Sequence, residues 1–200
     1  MVAALLIDFD GTLVDSIPLL YESYSALLEQ REKQPSQEEF DTLNGFPLRK
    51  ALKTLIDKHQ LDEDVNQLTD DYESVLLQKY TSQVQLTPGA REFLEQASKT
   101  YTLAIVTAAD TSLVKQVLEK FQIEHYFATV IGGEGLERGK PHPEIYVKAL
   151  HEIKIPAHKV MAIEDSEQGI QAARSAGIVS IRYAADHSWQ QILEMLNETD

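Results

Sequence analysis

Apolar residues run unbroken from Val2 to Ile7 and stop at Asp8. A short continuous apolar run ended by charge reads as a strand buried on both faces, here over residues 2–9. The period then changes. Leu20, Tyr24, Leu27 and Leu28 recur at helical spacing and predict a helix over 16–33, with Ser16 as its cap and Pro18 in its first turn. Pro35 and Ser36 break it. Helical stretches follow at 37–43, 48–59 and 62–80, and no strand pattern is visible between 16 and 81.

From Thr87-Pro88-Gly89 onward the pattern alternates. Helices are predicted over 89–99, 111–121, 143–153, 167–176 (closed by Gly177) and 189–196. Strands are predicted over 102–107 ("TLAIVT"), 128–131, 159–163 ("KVMAI") and 179–183. Strand–helix alternation implies an α/β fold: a Rossmann-like parallel sheet with helices on both faces. The helical stretch then becomes an insertion after the first strand. The expected division is a catalytic core of 1–15 and 82–200 and an all-helical cap of 16–81.

Composition narrows the chemistry. The chain has 200 residues, 43% hydrophobic and 25% charged, which suits a globular protein with a sizeable core. It has no cysteine, so disulfides, thiolate metal sites and a cysteine nucleophile are excluded. The N-terminus lacks a basic segment, and no apolar run reaches membrane-spanning length. A net charge of −14 makes nucleic acid and anionic membrane poor partners. A cytoplasmic monomer is expected.

The acids at the strand ends need explaining. Ligands of open parallel sheets bind beyond the C-terminal strand ends. Residues two apart on a strand share a side, so Asp8 and Asp10 project together while Phe9 points away. Glu164 and Asp165 end the "KVMAI" strand, and Thr107 ends another. If these strands are neighbours, the acids converge. Close carboxylates repel unless a cation sits among them, and an all-oxygen cluster suits Mg²⁺. One aspartate at a strand end is usually a turn or helix cap; two acidic pairs at two ends exceed that explanation. Gly11, Thr12, Thr107 and Lys140 supply donors and charge for an anion in the same layer. His59, His125, His151, His158 and His187 show no metal-ligand spacing, His142 reads as a surface residue, Ser166 reads as a helix cap, and Asp15 shapes the first loop.

These segments resemble four motifs in order. "DFDGTLVDS" (8–16) is similar to the DxDGTxxDS motif of the haloacid dehalogenase-like hydrolase superfamily. "AIVT" ending at Thr107, "GKPHPEIY" (139–146) and "AIEDSEQGIQAARSAG" (162–177) resemble its second, third and fourth motifs. The insertion after the first motif resembles the phosphoglycolate phosphatase and β-phosphoglucomutase subfamily. The resemblance implies a Mg²⁺-dependent phosphatase acting on a small phosphorylated metabolite. Asp8 would be the nucleophile and Asp10 the acid and base. Asp8, Asp10 (through its carbonyl), Asp165 and Glu164 would hold Mg²⁺. Thr107, the Ala108 N–H, Lys140 and Gly11 would bind phosphate. In "NGFPLRK" (44–50), Gly45 and Arg49 would face the substrate from the cap.

A carboxylate at Asp10 favours phosphate chemistry over carbon–halogen cleavage. β-Phosphoglucomutase carries a His and a Lys in its cap; the corresponding places here hold Leu20 and Asn44. A sugar phosphomutase is nonetheless the alternative, and a phospho-accepting signalling receiver the third reading.

Overall fold

A computed structural model describes residues 1–184 and 187–198 of the chain. Its sheet contains β1 (Ala4–Ile7), β2 (Thr102–Val106), β3 (Phe127–Ile131), β4 (Val160–Glu164) and β5 (Val179–Arg182). The spatial order is β3-β2-β1-β4-β5, and all neighbouring strands are parallel. The apolar run of β1 is central and fully buried, as an uninterrupted hydrophobic strand requires.

Nine helices surround the sheet among the described residues. They are α1 (Ile17–Glu29), α2 (Gln37–Leu43), α3 (Leu48–His59), α4 (Val65–Ser82), α5 (Ala90–Ala97), α6 (Thr111–Phe121), α7 (Glu144–Ile153), α8 (Glu167–Ser175) and α9 (Trp189–Glu198). Leu5 and Ile7 pack into a cluster with residues of α5, α6 and α9. Ala4 and Leu6 belong to a second cluster with Tyr146 and Ala149 of α7 and Ala172 and Ala173 of α8. The period-2 alternation of β1 therefore feeds both faces.

Helices α1–α4 occupy the interval between β1 and α5 and share their own cluster, which includes Tyr24, Leu28, Phe40, Leu52 and Leu55. Their boundaries differ from the sequence pattern for local reasons. α4 starts at Val65 rather than at residue 62, because the Asp64 carboxylate accepts from the N–H groups of Asn66 and Gln67 at 2.9 and 3.1 Å. α1 stops at Glu29 rather than at residue 33, and Glu32 turns left-handed at φ +57°. Ser16 lies at the start of α1, but its side chain caps nothing there.

The two segments joining α1–α4 to the rest run side by side. The Asp15 N–H donates to Gln85 O at 3.0 Å, and Val14 bridges Leu86 antiparallel. Just beyond, the buried Thr87 hydroxyl donates to Thr12 O at 2.7 Å and accepts from Trp189 Nε1 at 2.8 Å. Trp189 in turn packs on Phe93 and Tyr183. Thr87→Val keeps the shape but leaves a buried indole N–H and a carbonyl without their partner. It should cost about 1–3 kcal/mol, seen as a lower urea midpoint at unchanged m-value.

Candidate active site

The register of the sheet assembles the acids. Ile7 of β1 stands opposite Ile163 of β4, so the next residues, Asp8 and Glu164, stand opposite each other at the C-terminal edge. Asp165 follows directly. Oxygens of Asp8, Glu164 and Asp165 lie within 4.8 Å of one another. The buried Lys140, from the segment between β3 and α7, reaches into this group. Its Nζ donates to Asp8 Oδ1 at 2.6 Å and also to Glu164 Oε1. Tyr146 of α7 donates its hydroxyl to the same Glu164 oxygen.

Protonation follows from this crowding. Burial first, then the charge of Asp8, pushes Asp165 up to about 6. The same two causes push Glu164 above the ordinary carboxylate range, against the pull of Lys140. Burial alone would lower Lys140. The charges of Asp8 and Glu164 outweigh it and hold the ammonium firmly protonated.

Asp10 is not among these three carboxylates; it lines a cleft of about 420 Å³ between α1–α4 and the sheet edge. Its Oδ1 accepts from Ser16 Oγ at 2.6 Å and from the Tyr80 hydroxyl at the end of α4. Burial is the main cause that raises Asp10 to about 6, while these two donors oppose it. Tyr80 is fully buried, stacks on Phe9 at 6.3 Å between ring centroids, and stays a donor because burial holds its phenol protonated. Sequence reasoning missed Tyr80 and Tyr146 as partners of these acids, and assigned Ser16 to a helix cap; a nearby carboxylate is the better acceptor for its hydroxyl.

The other candidates divide. The buried Thr107 follows β2, and its Oγ1 accepts from the Ala109 N–H at 3.1 Å. Ala108 lines the cleft, and its N–H has no partner among the described residues. Gly11 does not offer its N–H to an anion, because that group donates to Val14 O at 2.9 Å. Its role is steric. It sits at φ +80°, and a Cβ there would collide with the Asp165 carboxylate. Gly45 lines the cleft, and its carbonyl accepts from the Lys140 N–H at 3.2 Å. Arg49 does not line the cleft. It is exposed, and its guanidinium makes two hydrogen bonds, of 3.1 and 3.0 Å, to Asn66 Oδ1.

The acid group suits a divalent cation. The donors are all oxygen, and Glu164 Oε2 is buried without a partner among the described residues. Gly169, in the first turn of α8, leaves the space this carboxylate fills; a Cβ there would overlap it. Asp8, Asp165 and Glu164 are the residues that could hold the ion.

Comparison with known proteins identifies the family. The model of the haloacid dehalogenase-like hydrolase family matches residues 5–183. A phosphorylated carbohydrates phosphatase of Thermotoga maritima is 31% identical over 186 residues, covering 92% of this chain and 86% of that protein. A phosphoglycolate phosphatase of Mannheimia succiniciproducens is 32% identical over 184 residues, covering 87% and 82%. The crystal structure of CbbY from Rhodobacter sphaeroides in complex with phosphate shares the fold, with a TM-score of 0.79 at 23% identity over 91% of this chain and 86% of that one. With its sheet order, its paired acids at the edge of β1 and β4 and a family match over most of its length, the chain belongs to the haloacid dehalogenase-like hydrolases.

Proposed function

We propose that the chain is a Mg²⁺-dependent phosphatase that hydrolyses a small-metabolite phosphomonoester through an aspartyl-phosphate on Asp8. The observation that carries this reading is the meeting of Asp8, Glu164, Asp165 and Lys140 at one sheet edge, with Asp10 lining the adjoining cleft. The phosphatase names of the relatives from Thermotoga maritima and Mannheimia succiniciproducens support it.

A carboxylate oxygen of Asp8 attacks phosphorus, and the bond from phosphorus to the ester oxygen breaks as the new one forms. Asp10 gives its proton to the departing alcohol. A pKa of about 6 keeps part of it protonated near neutrality. Water then attacks the aspartyl-phosphate at phosphorus, Asp10 takes the proton back, and phosphate leaves with Asp8 regenerated. Lys140, the Thr107 hydroxyl and the free Ala108 N–H neutralise the phosphoryl oxygens, which a loose transition state needs more than covalent help. Asp8, Asp165 and Glu164, with the Asp10 carbonyl, would hold Mg²⁺, whose positive charge would let an anionic nucleophile approach an anionic ester. Helices α1–α4 act as the cap over this chemistry, hinged at the paired segments around Asp15 and Gln85, and closure excludes water. A mutase gains no support from the cleft, where Leu20 and Asn44 both line the wall.

Asp8→Asn should reduce phosphate release by a factor on the order of 10³ or more in protein that circular dichroism shows to be folded; near-normal release in this variant refutes the nucleophile.

Tyr80→Phe keeps the stacked ring but removes one of two donors that orient Asp10. It should lower kcat/KM, which reports formation of the phosphoenzyme, about tenfold or more for alkyl phosphates, whose leaving group needs a proton, within the range general-acid catalysis contributes. It should change kcat/KM for p-nitrophenyl phosphate far less, because that leaving group departs unprotonated. Equal losses of kcat/KM on both substrates would mean a purely structural role.

Asp10 and Asp165 ionise near 6 in the folded, metal-free chain, against about 4 when unfolded. The folded state thus holds protons that the unfolded state has lost. Their contribution is full below about pH 4 and declines as pH rises through 6. The metal-free melting temperature should be higher at pH 5 than at pH 7.5. Mg²⁺ competes with those protons, so it should raise the melting temperature more at pH 7.5. Equal Mg²⁺ shifts at both values contradict the metal assignment.

A further inference from the structure

We propose that the cleft accepts phosphomonoesters whose leaving group is uncharged or cationic, and rejects those whose leaving group carries a second anion. The inference rests on the phosphatase reading and adds a substrate class to it.

The charged residues lining the cleft are Asp10, Asp70, Glu73 and Asp110; among the described residues, no Lys, Arg or His lines it. The acids come from separate elements. Asp70 and Glu73 lie on α4, and Asp110 caps α6 through the Ser112 N–H. They are close enough to act on one another. Burial first, then the charges of Asp110 and Asp70, pushes Glu73 above its ordinary range. The rest of the wall is largely apolar, with Leu20, Phe46, Leu48, Tyr72, Leu77 and Leu113.

The neighbouring cations are committed elsewhere. Lys140 Nζ holds Asp8 and Glu164. Arg49 is tied to Asn66. Lys50 lies over the Phe46 ring at 4.8 Å, and it does not line the cleft. A second anion bound here would lose water to apolar walls and meet carboxylates, with no cation to pair it. That loss is costly for an unpaired charge. A hydroxyl group avoids the repulsion, and an ammonium group would find partners in Glu73 and Asp110. Phosphoglycolate, with a carboxylate on its leaving group, belongs to the rejected class.

The test uses three phenyl phosphates of similar reactivity, with a para carboxylate, hydroxymethyl or aminomethyl group, assayed for phosphate release with Mg²⁺. The expected kcat/KM is at least tenfold lower for the carboxylate ester than for the hydroxymethyl ester, with the aminomethyl ester equal to or above the latter. The double variant Glu73→Gln, Asp110→Asn should narrow the carboxylate gap at least threefold, with folding checked by its melting temperature. Turnover of the carboxylate ester within threefold of the hydroxymethyl ester overturns the proposal. So does a preference for 2-phosphoglycolate over 2-hydroxyethyl phosphate, or an Arg49→Ala variant that slows the carboxylate ester alone, since that would bring a cation into the cleft. No release from the hydroxymethyl ester would instead bring down the phosphatase reading, and this inference with it.

Discussion

The ammonium of Lys140 is the charge on which the sheet edge depends. It stands between Asp8 and Glu164, both nearly or fully buried, and Asp165 lies alongside. Burying a carboxylate without a partner costs several kcal/mol even after relaxation, and removing one member of a buried pair is far worse than never having had it. One cation among three carboxylates still leaves negative charge in excess. Burial first, and that excess second, make Asp165 and Glu164 hold protons more tightly than free side chains do. The site is built short of positive charge, which a divalent cation among its carboxylates would supply.

The fold supplies the proximity. Asp8 and Glu164 are more than 150 residues apart in sequence, yet parallel pairing of β1 with β4 sets them side by side with no flexible loop between. Because β1 is sealed on both faces, its end has little freedom, and Asp8 inherits the rigidity of the core. Asp10 is different. It depends on Tyr80, which belongs to the four-helix segment, and so its orientation is shared between two parts of the molecule.

Local patterns explain which features the sequence discloses. The apolar run of β1, the helical spacing of α1 and the acids at strand ends are statements about neighbours in the chain, and the parallel sheet follows from their order. Tyr80 lies 70 residues from Asp10, on a helix where an aromatic at helical spacing looks like any core residue. Nothing local marks it as a donor. Tyr146 is hidden in the same way, by its place on the buried side of α7. Arg49 shows the converse. A basic residue in a suggestive motif is free to pair with whatever acceptor is nearest, and Asn66, 17 residues on, takes it. Gly11, read from the sequence as a donor for an anion, gives its N–H to Val14 instead, and what sets it apart is the absent Cβ beside Asp165.

Gly169 carries a consequence for anyone who wishes to make this protein more heat-tolerant. Glycine inside a helix costs about 1 kcal/mol relative to alanine, so replacing it is among the first substitutions an engineer would try. Here the methyl group would fall on the carboxylate of Glu164. The weak turn of α8 is the space in which the buried Glu164 carboxylate is stored, and thermostability must be sought on another helix.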